Sequence, residues 1–156
     1  VLINADFSRS ACLTPDHYHW VSSPQAGVQR VMLDRIGDEV ARATSIVRYA
    51  PGSSFSPHVH SAGEEILVLE GTFSDESGHY PAGWYLRNPP GSSHQPFSTE
   101  GCLLFVKLGQ MHASETGTVR RDSRDPMAWQ RAGQGEVCPL FHQGDEQVCV
   151  RRLSPG

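Results

Sequence analysis

Two histidines, His58 and His60, lie two residues apart and just ahead of an acidic pair, Glu64-Glu65. On an extended strand, residues i and i+2 project from one face, so these two imidazoles can converge on one ion. Glu64 keeps the same parity and can join them if the turn at Gly63 brings the chain round. Glu65 is the fallback carboxylate; alternation points it the other way unless the turn changes the phase. Imidazole nitrogen and carboxylate oxygen together suit zinc, iron(II), manganese, nickel or cobalt, and a set without a thiolate does not single out zinc. Taken alone, an H-x-H also describes two solvated loop histidines after Pro57, so the surroundings must decide.

Those surroundings read as strands joined by turns. Fifteen glycines and eleven prolines fall between short apolar segments. The candidate strands are residues 29–34, 43–50, 64–70, 83–87 and 102–108, all rich in the Val, Ile, Leu, Tyr and Phe that suit a pleated, partly buried surface. Pro51-Gly52, Glu70-Gly71, Ser77-Gly78, Pro81-Ala82-Gly83 and Pro90-Gly91 supply the breaks. No segment carries a long 3.6-residue apolar period. Residues 119–129 are polar, contain Pro126 and read as a connector. The expected class is all-β, a closed or two-sheet barrel.

Composition bounds the function. A chain of 156 residues corresponds to one domain at ~150 residues per domain. Its hydrophobic fraction of 38% suits a folded core, and its net charge of −4 gives no general electrostatic case for nucleic acid. The apolar run Ile66-Leu67-Val68-Leu69 is far too short to span a bilayer, so no membrane partner is expected. Val1–Asp6 shows no basic patch followed by an apolar stretch, so no signal peptide is expected there. Cys12, Cys102, Cys138 and Cys149 form no C-x-x-C and read as reduced thiols in a cytoplasmic protein.

The two stretches around the histidines fit fixed spacings. Gly52, His58, His60, Glu64 and Gly71 satisfy G-x5-H-x-H-x3-E-x6-G, and Gly83, Pro89, Gly91 and His94 satisfy G-x5-P-x-G-x2-H. These resemble the two motifs of the cupin superfamily. The second family motif usually closes with Asn four residues after its His; here Ser98 stands at that place, which is not a ligand position. The strings from Ala43 to Gly52, Gly63 to Gly71 and Arg87 to His94 look like the ChrR-type cupins of anti-sigma factors. The resemblance implies a cupin jelly-roll (double-stranded β-helix) barrel with a metal in its mouth. It also implies that His58, His60, Glu64 and His94 bind one divalent metal ion (Zn, Fe, Mn or Ni), which agrees with strand parity in choosing Glu64 over Glu65.

Other residues of reactive type fall outside this pattern. His17 and His19 form a second H-x-H in a loop whose aromatics pack on the barrel. His79 reads as solvated, and His112 and His142 have no partner at a ligand spacing. Cys102 reads as a small core residue. Phe55, Tyr85 and Phe97 flank the ligand segments and are core aromatics or pocket walls. Arg48 is read as a solvated edge charge rather than an interior anion anchor. Residues 1–125 are assigned to the cupin domain with an N-terminal extension, and residues 126–156 to C-terminal strands. Residues 149–156 echo residues 45–52, which allows a second, truncated cupin repeat whose first motif would start at Gly156; the competing reading is a strand that completes the first barrel or a dimer sheet.

Two functions follow from the resemblance. One is a sensory or regulatory metal-binding cupin like that of ChrR-type anti-sigma factors, which respond to oxidants. In that family a separate N-terminal zinc-bearing helical domain grips the sigma factor, so a sigma-factor partner would belong to a longer parent protein. The other is a dioxygenase or isomerase acting on a small oxygenated organic molecule, with the four ligands as its catalytic centre and no separate general base identifiable. Six-coordination would leave positions open for such a ligand, whereas tetrahedral zinc would be closed by four protein ligands. A homodimer through sheet edges is a fold-level expectation.

Overall fold

The computed structural model describes residues 1–155. Glycine- and proline-rich turns cut the chain into antiparallel strands, and the longest of them organise one large sheet. Its order runs from Leu2–Ile3 through Val28–Gly37, Ala41–Tyr49, Cys102–Leu108 and Glu64–Asp75 to Phe97–Ser98 and Ser53–Ser54. The Glu64–Asp75 strand is the hub. Its first half pairs with Trp84–Asn88 and its second half with Gly78–Pro81. A register shift opposite Leu103/Leu104 bends it between the two. Gly71 sits at that bend with φ +67°, and any Cβ there would collide with the Gly101 carbonyl. This all-β arrangement is the jelly-roll fold expected from the sequence.

Alternation along the hub sorts the core. Ile66 and Val68 face inward with Leu86, Phe73, Leu104 and Val106, each no more than 7% exposed. Burying side chains of this size contributes about 1.5–3 kcal/mol apiece. Leu67 and Tyr85 face the opposite side, where Cys138 and Leu140 complete a second apolar cluster. Cys138 and Leu140 belong to a separate three-stranded sheet of Gln130–Ala132, Gly135–Gln143 and Glu146–Leu153. Gly156 lies outside the described residues, and so does the start of any second motif there.

One expectation is corrected. Residues 119–129 are not only a connector: Val119–Asp122 pairs with Trp84–Asn88 as a strand, and a short 3-10 turn, Pro126–Ala128, follows. The Val-Arg-Arg-Asp sequence hides this, because Arg120 lays its guanidinium over the Tyr80 ring instead of facing water. The N-terminal segment is held by short pairings of Leu2–Ile3 and Val21–Ser22 with Val28–Gly37. No described helix is long and apolar enough to cross a membrane.

Candidate metal centre

Two chain segments 36 residues apart meet at the site. His58–Val59 pairs with Ser93–His94 so that His94 stands opposite His58. The backbone continues the match beyond the strand: the His60 amide donates to the Ser92 carbonyl at 2.9 Å, and the Gly91 amide donates to the His60 carbonyl at 2.8 Å. A turn at Gly63 then starts the hub strand with Glu64 inward. Gly63 has φ +82°, and a Cβ would clash with the Met111 side chain beneath it, so only glycine closes this turn without strain. The three imidazole centroids lie 4.6–5.0 Å apart. One ligand atom from each of His58, His60, Glu64 and His94 falls within 4.8 Å of all the others.

Hydrogen bonds orient the rings from behind. His58 Nδ1 is 2.9 Å from the Ser56 carbonyl, which can only accept, so Nδ1 carries the proton and Nε2 is free. His94 Nδ1 faces the Asp75 carboxylate at 3.4 Å with the same consequence. Glu64 Oε2 accepts from Asn88 Nδ2 at 3.1 Å, and Asn88 Oδ1 accepts from Arg120 Nη2 at 2.8 Å. Such supports behind a ligand set its direction and basicity.

What the rings do in front is different. The Nε2 atoms of His60 and His94 are buried and have no hydrogen-bond partner. They approach Glu64 Oε2 at 3.3 and 3.4 Å, but not in hydrogen-bonding alignment. Leaving such an atom unpaired costs about 1–3 kcal/mol, and two of them aimed at one carboxylate fit a cation among them. Burial lowers the His60 pKa and so favours the neutral, ligating ring, against the pull of Glu64. For His94 burial also acts downward, but the Asp75 hydrogen bond and Glu64 outweigh it and raise the pKa. Asp75 is the converse. Burial would raise it, yet its bonds to His94 and the Ser77 amide hold it below the usual carboxylate range.

The cluster opens into a cavity of about 340 Å³ walled by Tyr49, Phe55, Phe73, Val106 and Leu108, with Arg30 and Arg35 among its lining. That is the size and composition of a small-molecule site. Burial pushes the Tyr49 phenol well above its ordinary range.

All four expected ligands come together, and the fallback does not join them. Glu65 points to the opposite face, 2.8 Å from Arg87 Nη1. Phe55 is a cavity wall, Tyr85 belongs to the outer cluster, and Phe97 packs on His79. His17 Nδ1 pairs with the Thr14 hydroxyl at 2.7 Å, and exposed His79 bonds to Ser74. His112 bonds to Ser114, two residues on. Arg48 is exposed, bonded to Gln29 and stacked on Trp20. All four cysteines are free; Cys102 is buried, and burial raises its thiol to about 11. Sequence reading missed Asp75, Asn88 and Arg120, because none stands at a motif position. For Asn88 the signal was available in parity: it lies two residues beyond Leu86 on the inward face.

Residues 8–112 match the family model of the ChrR cupin-like domain. No curated protein matches the chain. Among solved structures, a chain of the Rhodobacter sphaeroides SigE complex with the anti-sigma factor ChrR is similar at 22% identity and TM-score 0.52, over 61% of this chain and 51% of that one. Acetylacetone dioxygenase from Acinetobacter johnsonii is similar at 18% identity and TM-score 0.51, over 64% and 72%. A candidate dioxygenase from Nostoc punctiforme reaches TM-score 0.68 at 15% identity, over 84% of this chain and 53% of that one. The match thus spans about half of the ChrR-complex and Nostoc chains. At these identities the likeness shows the fold.

Proposed function

The chain belongs to the ChrR cupin-like domain family, and from that premise we propose that it is a divalent-metal-binding regulatory domain with His58, His60, Glu64 and His94 as ligands. The observation that carries the reading is the pair of buried, partnerless Nε2 atoms converging on Glu64. A divalent ion held there supplies Lewis acidity and, according to its identity, redox chemistry. The chain's own residues do the rest. The Ser56 carbonyl and Asp75 keep the protons of His58 and His94 on Nδ1, Asn88 steadies Glu64, and the apolar wall limits water. The family match supports an oxidant-responsive role, with a sigma factor as partner of the longer protein.

Metal analysis of protein purified without an affinity metal tests the centre. The expected result is about one ion per chain, lost in His60→Ala and His94→Ala; a folded protein that takes up no divalent ion overturns it. Co-purification of the parent protein with a sigma factor, and its release by oxidant only when the metal is present, tests the regulatory role.

The cavity favours a second reading. Its 340 Å³ beside the ligand set, and the fold shared with an acetylacetone dioxygenase, support an enzyme acting on a small oxygenated molecule. Dioxygen uptake by the iron(II)-loaded protein with a panel of β-diketones decides between the two.

A further inference from the structure

The cavity holds a cation that the metal centre does not use. Arg35 lines it, is 2% exposed, and among the described residues its guanidinium has no hydrogen-bond or ion-pair partner. A β-bulge puts it there. Val28, Arg30 and Met32 stand opposite Tyr49, Val47 and Ser45, and then the register shifts between Met32 and Asp34. The extra residue brings Arg35 opposite Ala43, onto the face of Ser45, Val47 and Tyr49. Without that shift, alternation would turn Arg35 outward. A second arginine stands near it. Arg30 gives Nη2 to Glu39 at 3.2 Å, while its buried Nε has no partner.

Of the two arginines, only Arg30 has a carboxylate within ion-pair distance among the described residues. Glu39 is 68% exposed and engaged with Arg30, and Asp38 is 85% exposed and holds the N-terminal amine at 3.0 Å. Desolvation of Arg35, with Arg30 beside it, lowers its pKa against the pull of Glu39 and Asp38. A guanidinium that faces the water of a cavity with no carboxylate bonded to it is a costly arrangement. It is also preorganised to take an anion in a bidentate grip.

We propose that the cavity binds a small organic anion with an apolar body, its carboxylate or enolate held by Arg35 with Arg30 Nε beside it, and its hydrocarbon part against Tyr49, Val106 and Leu108. This deepens the reading of the same cavity as a metal-linked ligand site, but the anchor itself requires no metal.

Calorimetric titration with hexanoate, hexan-1-ol and hexylammonium, on metal-loaded and metal-stripped protein, tests it. Hexanoate is expected to bind at least about tenfold more tightly than hexan-1-ol in both forms, and hexylammonium more weakly than either. Arg35→Met should erase the preference while leaving metal content unchanged, and Arg35→Lys should keep part of it. Arg35→Met should also raise the melting midpoint of the ligand-free protein, because it removes an unpaired buried charge. If Arg35→Met does not fold, Arg35→Gln and the salt dependence of hexanoate binding serve the same purpose. Equal binding of acid and alcohol, a preference that survives in Arg35→Met, or one seen only with metal present overturns the anchor. A folded wild type that takes up no divalent ion and still prefers hexanoate keeps the anchor and overturns the metal centre instead.

Discussion

The two faces of one strand pair carry two buried polar clusters with opposite bookkeeping. On the inner face Glu64 stands opposite Asn88; one residue on, Glu65 stands opposite Arg87 on the outer face. Arg87 is fully buried, and its donors are all spoken for. Glu115 takes Nε and Nη2 at 2.6 and 2.8 Å, Glu65 takes Nη1 at 2.8 Å, Glu146 lies at 3.1–3.3 Å, and the Phe141 ring lies 3.8 Å from the guanidinium carbon. Tyr85 donates to Glu65 at 2.6 Å. Burial alone would lower the Arg87 pKa, but the hydrogen bonds and carboxylates raise it beyond its ordinary value. The inner cluster is supported from behind and left open in front, at two imidazole nitrogens. A cluster that satisfies itself holds the fold together; one that leaves valences pointing at a common point is built for something else.

The largest effect expected from breaking this contrast is on the closed side. Arg87→Met leaves Glu65 and Glu115 buried around no cation, and should cost about 3–5 kcal/mol in urea unfolding of the metal-free protein. A loss under ~1 kcal/mol would mean that the outer cluster is not structural. On the open side the sign of the dependence changes, because stability should come from the ion. Removing a metal present at 100 times its dissociation constant should cost about 2.7 kcal/mol, read as a fall in the melting midpoint on chelation and its return on adding metal. His94→Ala should abolish that difference.

Three members of the inner cluster were legible because they lie within seven residues, and the fourth, His94, because the resemblance to the second cupin motif implies a ligand there. Strand parity alone separates Glu64 from Glu65, and the structure divides them the same way. The outer cluster was not legible. Glu115 and Glu146 lie 28 and 59 residues beyond Arg87, and nothing in the local sequence of the three distinguishes them from solvated charges. Arg35 was hidden for another reason. Its face depends on a one-residue bulge, and simple alternation gives the wrong side. The Val119–Asp122 strand was hidden because its partner, not its own apolar pattern, decides its conformation.

Asp75→Asn sharpens the contrast on a finer scale. The amide has one oxygen for the two donors that Asp75 serves, His94 Nδ1 and the Ser77 amide, and it loses the charge that steadies the protonated side of the ring. Metal affinity should fall by about 10–100-fold, as is usual for a support behind a ligand. Competition with a chromogenic chelator measures this. Unchanged affinity would show that His94 is oriented by its strand alone.

The smallest effect expected is at the rim of the closed cluster. Glu146 comes from the C-terminal sheet, and its side chain is 45% exposed, so solvent screens its pull on Arg87. Glu65 and Glu115 already place two carboxylates against one guanidinium, and Glu146 adds negative charge in excess of the cation. Neutralising it loses a screened attraction to Arg87 but also removes repulsion from its two neighbours. Glu146→Gln should therefore change stability by less than ~1 kcal/mol. The C-terminal sheet should stay docked on Tyr85 through Cys138 and Leu140, which are 1% and 4% exposed. Limited proteolysis in the turn at Gly144 reads the docking directly. Rapid cleavage followed by loss of the sheet in Glu146→Gln would show that the ion pair, rather than the apolar seam, holds the two sheets together.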